Sequence, residues 1–331
     1  MQILVVNSGS SSLKTSLFKV EGKKCARMQD LQIKGINSLS PSLVKRTLQK
    51  DEKEPLNSVK DIKGALDIIL EKLKGLFTEI AAIGHRFVHG GDKYRTSVLI
   101  NPSIRNDLEQ LVALAPLHNP ACLEGIKACE NYFGEKMPQV VCFDTSFHRN
   151  MPLFASQYAL PYDLALKYGI KRYGFHGIAH AFLWQAYELQ TEKKDSKVIT
   201  IHLGNGCSMA AIKAGVSLDT TMGFTPDEGL VMATRAGDLD PAIVEFLCVH
   251  ENKTPSEVTH LLNHSSGLLG VSGVSSDMKR VLGAVNKDKR AALAVDIFCY
   301  RIVKYLGAYL AILGGAEAII FSGGIGENSS E

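Results

Sequence analysis

The stretch ILVVNSGSSSLKTSLFKV (3–20) decides how the rest of the chain is read. Its ends are apolar and partly β-branched, and its middle is small and polar. It therefore predicts strands over 3–6 and 15–20 joined by the loop 7–14. Far along the chain, VITIHLGNGCSMAAI (198–212) repeats the design: an apolar strand, a turn of Asn, Gly and Ser, and a second apolar strand. Two hairpins of one pattern predict a duplicated architecture, two similar domains in one chain. A length of 331 residues suits this, at roughly 150 residues per domain.

Between the hairpins the pattern is that of an α/β protein. Residues 64–77 place Leu66, Ile69, Leu70 and Leu73 on one helical face. Residues 80–91 predict a strand running into a glycine turn, and 139–147 a buried strand ending at Asp144. Asn119-Pro120, Asp240-Pro241 and Thr254-Pro255 predict helix starts, the last with Glu257 completing a capping box. The charged stretch 50–63 predicts a surface excursion. The domain boundary is expected just after Asp144, giving domains 1–145 and 146–331.

Bulk composition excludes several classes. Lys+Arg 37 against Asp+Glu 34 gives a net charge of +3, with 45% hydrophobic residues. That balance, with no basic block interleaved with aromatics, argues against nucleic acid or a membrane surface as partner. Seven scattered cysteines without a Cys-x-x-Cys pair argue for a reducing, cytoplasmic setting. Ala291–Leu313 is apolar but carries Asp296, Arg301 and Lys304, so it predicts a buried helix.

Neither a Walker motif nor G-x-G-x-x-G occurs, so any phosphate would be held by hairpin turns. NSGSSSLK (7–14) offers an Asn, four hydroxyls, backbone amides and Lys14, an inventory suited to magnesium-held phosphate and equally to an ordinary polar turn. Arg86 and His89 stand beside a glycine turn. Arg235 lies among small residues, with Asp238 and Asp240 as its only nearby acids in the segment. It is either paired locally or projects into a cleft. His176 and His180 stand at i, i+4 without the Glu or third ligand of a zinc site, which favours hydrogen-bonding roles. The chain ends on FSGGIGENSSE (321–331), a strand running into a glycine loop with too few residues left for the closing helix.

Taken in order, VVNSGSSSLK, GHRFVHGG, LAPLHNP, CFDTSFH, RYGFHG, IHLGNGCS, TTMGFTPDEG, TRAGDLDP and GGIGENS closely resemble the acetate kinase family with its propionate and butyrate kinase relatives. The resemblance spans residues 1 to 331. It implies the two-domain, duplicated sugar kinase/Hsp70/actin-like (ribonuclease H-like) α/β fold, with mixed sheets and an interdomain cleft. It also implies a cytoplasmic homodimer that transfers the γ-phosphoryl of ATP to acetate or another short-chain carboxylate, with Mg2+ or Mn2+.

The same resemblance implies residue roles. Asn7, Ser10, Ser12 and Lys14 match the first phosphate loop, Asn7 nearest the metal. Arg86 and Arg235 match the arginines on the carboxylate and the transferring phosphoryl, His176 the histidine bonding that phosphoryl, and Asp144 an acid beside it. His118 and His202 match further active-site histidines. Leu203, Gly204, Asn205 and Gly206 match the second phosphate loop, and Gly324, Ile325, Gly326 and Asn328 the adenosine loop. Val88, Leu117, Phe175 and Pro226 match the acyl pocket.

Two departures stand out. SSDMK (275–279) replaces the family's SSDFR, so Asp277, Met278 and Lys279 would meet the adenine with a thioether and an ammonium where others offer planar groups. Family members also continue past GIGENS and supply there a glutamate that orders the metal. On this reading the chain is either an acyl kinase or a nucleotide-binding remnant. A sugar kinase or Hsp70-like ATPase would lack the arginine and acyl-pocket segments.

Overall fold

In the computed structural model, which describes residues 1–22, 24–46, 51–77, 79–116 and 118–330, the first hairpin is tighter than its sequence suggests. Strands β1 (Gln2–Gly9) and β2 (Ser12–Glu21) pair antiparallel, with Asn7 opposite Lys14 and Gly9 opposite Ser12. Only Ser10 and Ser11 turn. Most of the loop predicted over 7–14 is thus strand, because small polar side chains can alternate across a pleat as apolar ones do.

The chain divides into two compact units, Met1–Ser146 and Phe147–Glu331. The first unit adds β3 (Lys24–Lys34), β4 (Ser42–Arg46), β5 (Glu52–Pro55), β6 (Ile80–Phe87), β7 (Val98–Leu99) and β8 (Gln139–Phe143). Their order is β5-β4-β3-β2-β1-β6-β8-β7, with β1, β6 and β8 mutually parallel. Part of the surface excursion predicted over 50–63 is therefore the edge strand β5; its Glu and Lys side chains are all exposed, which suits an edge.

Alternation sets the faces. Leu4, Val6, Ile83 and Phe87 are buried, and Leu4, Val6 and Ile83 join one core with Ile62, Leu66, Ile69, Leu70 and Leu73 of the helix Ile62–Leu73. Asp61 caps that helix, its carboxylate accepting from the Gly64 N–H at 2.7 Å. Each fully buried Leu or Ile contributes about 1.5–3 kcal/mol. Asn7 and Arg86, one residue out of phase with that set, face away from it.

The second unit repeats the pattern. Strands β9 (Lys197–Leu203), β10 (Cys207–Lys213), β11 (Val216–Thr220) and β12 (Ala318–Ser322) run in the order β11-β10-β9-β12, with β12 parallel to β9. An antiparallel meander flanked by one parallel strand is also the β3-β2-β1-β6 arrangement of the first unit, so the duplication predicted from the two hairpins is present in both sheets. Trp184 of the helix Gly177–Thr191 packs on Val198, Ala210 and Ile212.

The long helix runs Lys289–Leu313 and is not simply buried: Tyr300 and Val303 are 71% and 64% exposed, while Ala291, Ala294, Phe298, Tyr309 and Leu313 face inward. Among the described residues no helix is long and apolar enough to cross a membrane. Of the predicted helix starts, Thr254 forms its capping box with Glu257. Asp240 accepts from the Ala242 N–H, whereas Asn119 lies inside its helix and bonds His89 and Leu111 instead.

One buried polar pair couples the first sheet to pH. His85 is 3% exposed, and its Nε2 lies 2.7 Å from Gln139 Oε1 on the neighbouring strand. Burial lowers its pKa to about 4. The unfolded chain therefore binds a proton below about pH 6.5 that the folded chain refuses, so stability is full above that pH and falls as acid is added. At about pH 5.5 this one group should cost about 1 kcal/mol relative to neutral pH. Urea unfolding at the two pH values should show a smaller acid loss in His85→Gln than in the parent; equal losses would remove His85 from the account.

Candidate active site

In the first unit, β1, β6 and the end of β8 bring three predicted residues together. Arg86 Nε donates to both Asp144 oxygens at 3.0 and 3.1 Å, and Nη2 donates to Oδ2 at 2.5 Å. Its third nitrogen, Nη1, donates to Asn7 Oδ1 at 3.3 Å. Asp144 is 1% exposed, while the Arg86 side chain retains 33%. Burial works against the guanidinium's charge, but the Asp144 carboxylate offsets this and holds its pKa above the ordinary value. Lys14, across from Asn7, is shifted the other way by partial burial and by the cations Arg46, Arg86 and Lys34. A sheet face that gathers cations in this way favours an anion.

The other first-unit residues are less clustered. Ser10 is exposed at the hairpin turn and Ser12 half-buried beside it. Val88 is buried, His118 opens the helix Asn119–Phe133, and Leu117 lies outside the described residues. His89, 1% exposed, accepts from the Gly91 N–H through Nδ1, so it shapes the glycine turn.

The second unit builds a denser cluster around the turn between β9 and β10. A Cβ placed on Gly206 would lie 3.3 Å from His176 Nε2 and 3.6 Å from Arg235 Nη1. The His176 and His202 rings meet edge to face at 4.9 Å, and His202 Nδ1 bonds Ser322 Oγ at 3.0 Å. Behind His176 runs a buried chain of hydrogen bonds: its Nδ1 to Ser208 Oγ at 2.9 Å, Ser208 Oγ to His180 Nε2 at 2.8 Å, and His180 Nδ1 to Thr200 Oγ1 at 2.7 Å. Burial keeps His180 well below its ordinary pKa and hence neutral. The i, i+4 histidines thus serve a relay, and among the described residues no cluster of three His, Cys, Asp or Glu could hold a metal. His176 itself sits at φ +56°, a strained position for a residue with a side chain, where it caps the helix Gly177–Thr191.

Arg235 finds different partners from those its sequence neighbours suggest. Its Nη1 donates to the Pro226 carbonyl at 3.2 Å and Nε lies 3.5 Å from Asp227. Asp238 instead receives Arg301 and Tyr305. The Asn205 carbonyl accepts the Ala233 N–H at 3.0 Å, tying the β9–β10 turn to the arginine's segment. Phe175 is 1% exposed and Pro226 half-buried.

The predicted nucleotide residues divide in two. Gly323–Asn328 forms a helical turn, where the tail was expected to leave no helix. A Cβ on Gly323, at φ +82°, would lie 2.4 Å from the Leu203 carbonyl and one on Gly326 3.7 Å from the Leu203 side chain, so the turn starts against the end of β9; Gly324 and Ile325 follow, and Asn328 bonds the Gly324 carbonyl at 2.9 Å. Separately, Asp277 caps the helix Met278–Leu282; Met278 is 6% exposed and Lys279 faces solvent. The residues that sequence reading missed are Ser208, Thr200 and Ser322. Their signal was faint: single hydroxyls inside apolar strands, each needing a partner once buried.

Solved structures that the chain matches over nearly its whole length include kinases of acetate and propionate. The chain superimposes on a propionate kinase from Francisella tularensis subsp. tularensis with a TM-score of 0.92 at 38% identity, covering 99% of this chain and 85% of the other. It superimposes on the acetate kinase of Porphyromonas gingivalis with 0.88 at 40%, covering 99% and 84%. The fold is therefore the sugar kinase/Hsp70/actin-like α/β class. Residues 2–331 match the acetokinase family, and the chain belongs to it. Among curated relatives, acetate kinases of Solibacter usitatus and Clostridium novyi are 43% and 45% identical over 100% and 99% of this chain. In each case 84% of the relative's length is covered.

The relay is open to test. Ser208→Ala removes one bond from the buried His180 and one from the half-buried His176, which should cost about 1–3 kcal/mol. A urea midpoint that stays put would show that the hydroxyl carries no such weight.

Proposed function

We propose that this protein is an acetate kinase, transferring the γ-phosphoryl of ATP to acetate to give acetyl phosphate and ADP. The observation that carries the reading is the convergence of His176 Nε2 and Arg235 Nη1 on the Gly206 backbone, beside a glycine turn suited to phosphate. The Arg86–Asp144–Asn7 cluster supplies a second cation with its charge secured. Its relatives from Solibacter usitatus, Clostridium novyi and Porphyromonas gingivalis are acetate kinases, which supports the same substrate pair.

The reaction is a single in-line displacement. A carboxylate oxygen forms a bond to the γ-phosphorus as the bond to the bridging oxygen breaks, and ADP leaves with that electron pair. No general base is needed, because a carboxylate is already ionised at neutral pH. What the protein must supply is positioning and neutralisation, since acceptor and donor are both anions. In the first unit Arg86 would hold the carboxylate, with the buried Val88 two residues on; in the second, Phe175 and Pro226 would offer apolar surface to an acyl chain. Arg235 and His176 would bond the transferring phosphoryl, whose charge builds on its peripheral oxygens. Lys14, Ser10 and Ser12 in one unit, and Leu203 to Gly206 in the other, offer donors for phosphate oxygens. Lys279, Asp277 and the turn Gly324–Asn328 would take the adenosine.

Magnesium or manganese fits this donor set as an ion borne mainly by phosphate and water. The described residues offer Asn7 Oδ1, which accepts from Arg86 Nη1, but no carboxylate cage. When bound, the ion shields the charge of the phosphates.

Acetate is small, and a ceiling of about 1.5 kcal/mol per heavy atom limits its binding to roughly 6 kcal/mol. One further methylene changes the fit by about 1–3 kcal/mol, so propionate is the second substrate to try. Hydroxylamine trapping of acyl phosphate, with ATP, magnesium and acetate, tests the assignment. Arg235→Ala should lose at least about a hundredfold in turnover while remaining folded. Near-normal turnover in that variant would overturn the role given to Arg235.

A further inference from the structure

The chain from Thr221 to Pro241 has neither helix nor strand, yet it carries Pro226, Asp227 and Arg235. So long an irregular segment cannot be held by its own backbone ladder, and where such segments are ordered they usually serve function. Around Arg235 it is tied by backbone bonds to Asn205, Leu262, Ser266, Leu268 and Leu269; nearer its start the holding falls largely to side chains.

Three of them converge at its start. Arg172 Nη2 donates to Glu228 Oε1 at 2.5 Å, while Nη1 donates to the carbonyls of Thr220, Thr221 and Met222 at 3.0, 3.1 and 3.4 Å. The Tyr158 hydroxyl donates to Glu228 Oε2 and accepts the Phe224 N–H at 2.8 Å. Burial and the Glu228 carboxylate raise the Tyr158 pKa, so it stays a donor. A Cβ on Gly223 would fall 1.6 Å from Glu228 Oε2 and 2.1 Å from Tyr158 Oη, so both groups sit directly on that backbone. The Gly223 carbonyl in turn accepts the Tyr173 and Gly174 N–H groups at 3.1 and 3.3 Å. Arg172 therefore stands at the head of the strand of chain that ends in His176, and grips the segment that ends in Arg235.

At the other end Asp238 closes the loop. Its Oδ1 accepts the Gly229 N–H at 2.8 Å, and its Oδ2 meets Arg301 at 3.2 Å and Tyr305 at 2.7 Å. Between these two anchors the Pro226 carbonyl receives Arg235.

We infer that Tyr158, Glu228 and Arg172 form a clasp that positions the Arg235 guanidinium and the Pro226 ring relative to His176, and so sets both turnover and acyl-chain preference. They are positioning residues, acting through the segment they hold. The inference rests on the acyl-phosphate reading above, but its mechanical half does not.

The experiment compares the parent with Tyr158→Phe and Arg172→Lys in two measurements. Hydrogen exchange read by mass spectrometry should quicken over 221–236 in both variants while β9 and β10 keep their protection. Steady-state kinetics with acetate and propionate should show turnover with acetate down about tenfold, since displacements of an ångström are costly. The ratio of kcat/KM for the two acids should narrow, with the KM for ATP unchanged. A Lys at 172 keeps the charge but cannot reach Glu228 and the carbonyl row together, so it should not rescue. If exchange over 221–236 is unchanged, there is no clasp. If exchange quickens but turnover and the acid ratio stay, the trio only stabilises the fold and the positioning role is overturned. Absence of acetate-dependent turnover in the parent would sink the kinase reading, while the exchange arm would still judge the clasp.

Discussion

The first unit's chemistry depends on one ion pair, Arg86 with Asp144. A carboxylate 1% exposed is tolerable only because a guanidinium fork meets it with Nε and Nη2 together. Removing Arg86 should cost about 3–5 kcal/mol, since Asp144 is then left buried and charged, whereas Arg86, one third exposed, would lose less without its partner. The pair also fixes where the remaining nitrogen points. Nη1 reaches Asn7, on the strand next to β6, so the cation is presented from the sheet face that the helices do not cover.

The second unit meets the same requirement by different chemistry. At the corresponding strand pair of its sheet, His202 and Ser322 bond across β9 and β12. In that unit the His176 imidazole bonds the Ser208 hydroxyl, which in turn meets His180, a histidine kept neutral by burial. Arg235 provides the charge separately, from an irregular segment. One sheet pattern thus supports two ways of aiming a donor: a salt bridge on strands, and a relay on a strand with an arginine on a loop.

Much of this was legible in the sequence because it depends on periodicity and on short spacing. Leu66, Ile69, Leu70 and Leu73 announce their helix, and Thr254 with Glu257 announces a cap. The two hairpins announced the duplicated fold, although the first is strand almost to its tip. The partners of Arg235 were not legible. Asp238 and Asp240 were close in sequence, but Asp238 is drawn to Arg301 and Tyr305 on a distant helix, and Asp227, eight residues upstream, takes the guanidinium. Tertiary pairing of that kind leaves no local trace. The same holds for Ser208, whose hydroxyl reads as noise in an apolar strand until two histidines are seen on either side of it. The edge strand β5 was hidden for the opposite reason, since an all-charged strand looks like a loop.

Position 206 carries a consequence for how the protein can change. The space above its α-carbon is already occupied at 3.2 Å by an imidazole carbon. Every amino-acid change from glycine adds at least a Cβ there, and the His176 ring must give by a few tenths of an ångström to admit even alanine. Adaptation toward larger acids or other donors must therefore begin elsewhere, in the walls and anchors of the site, while this one backbone contact stays as the gauge against which they are set.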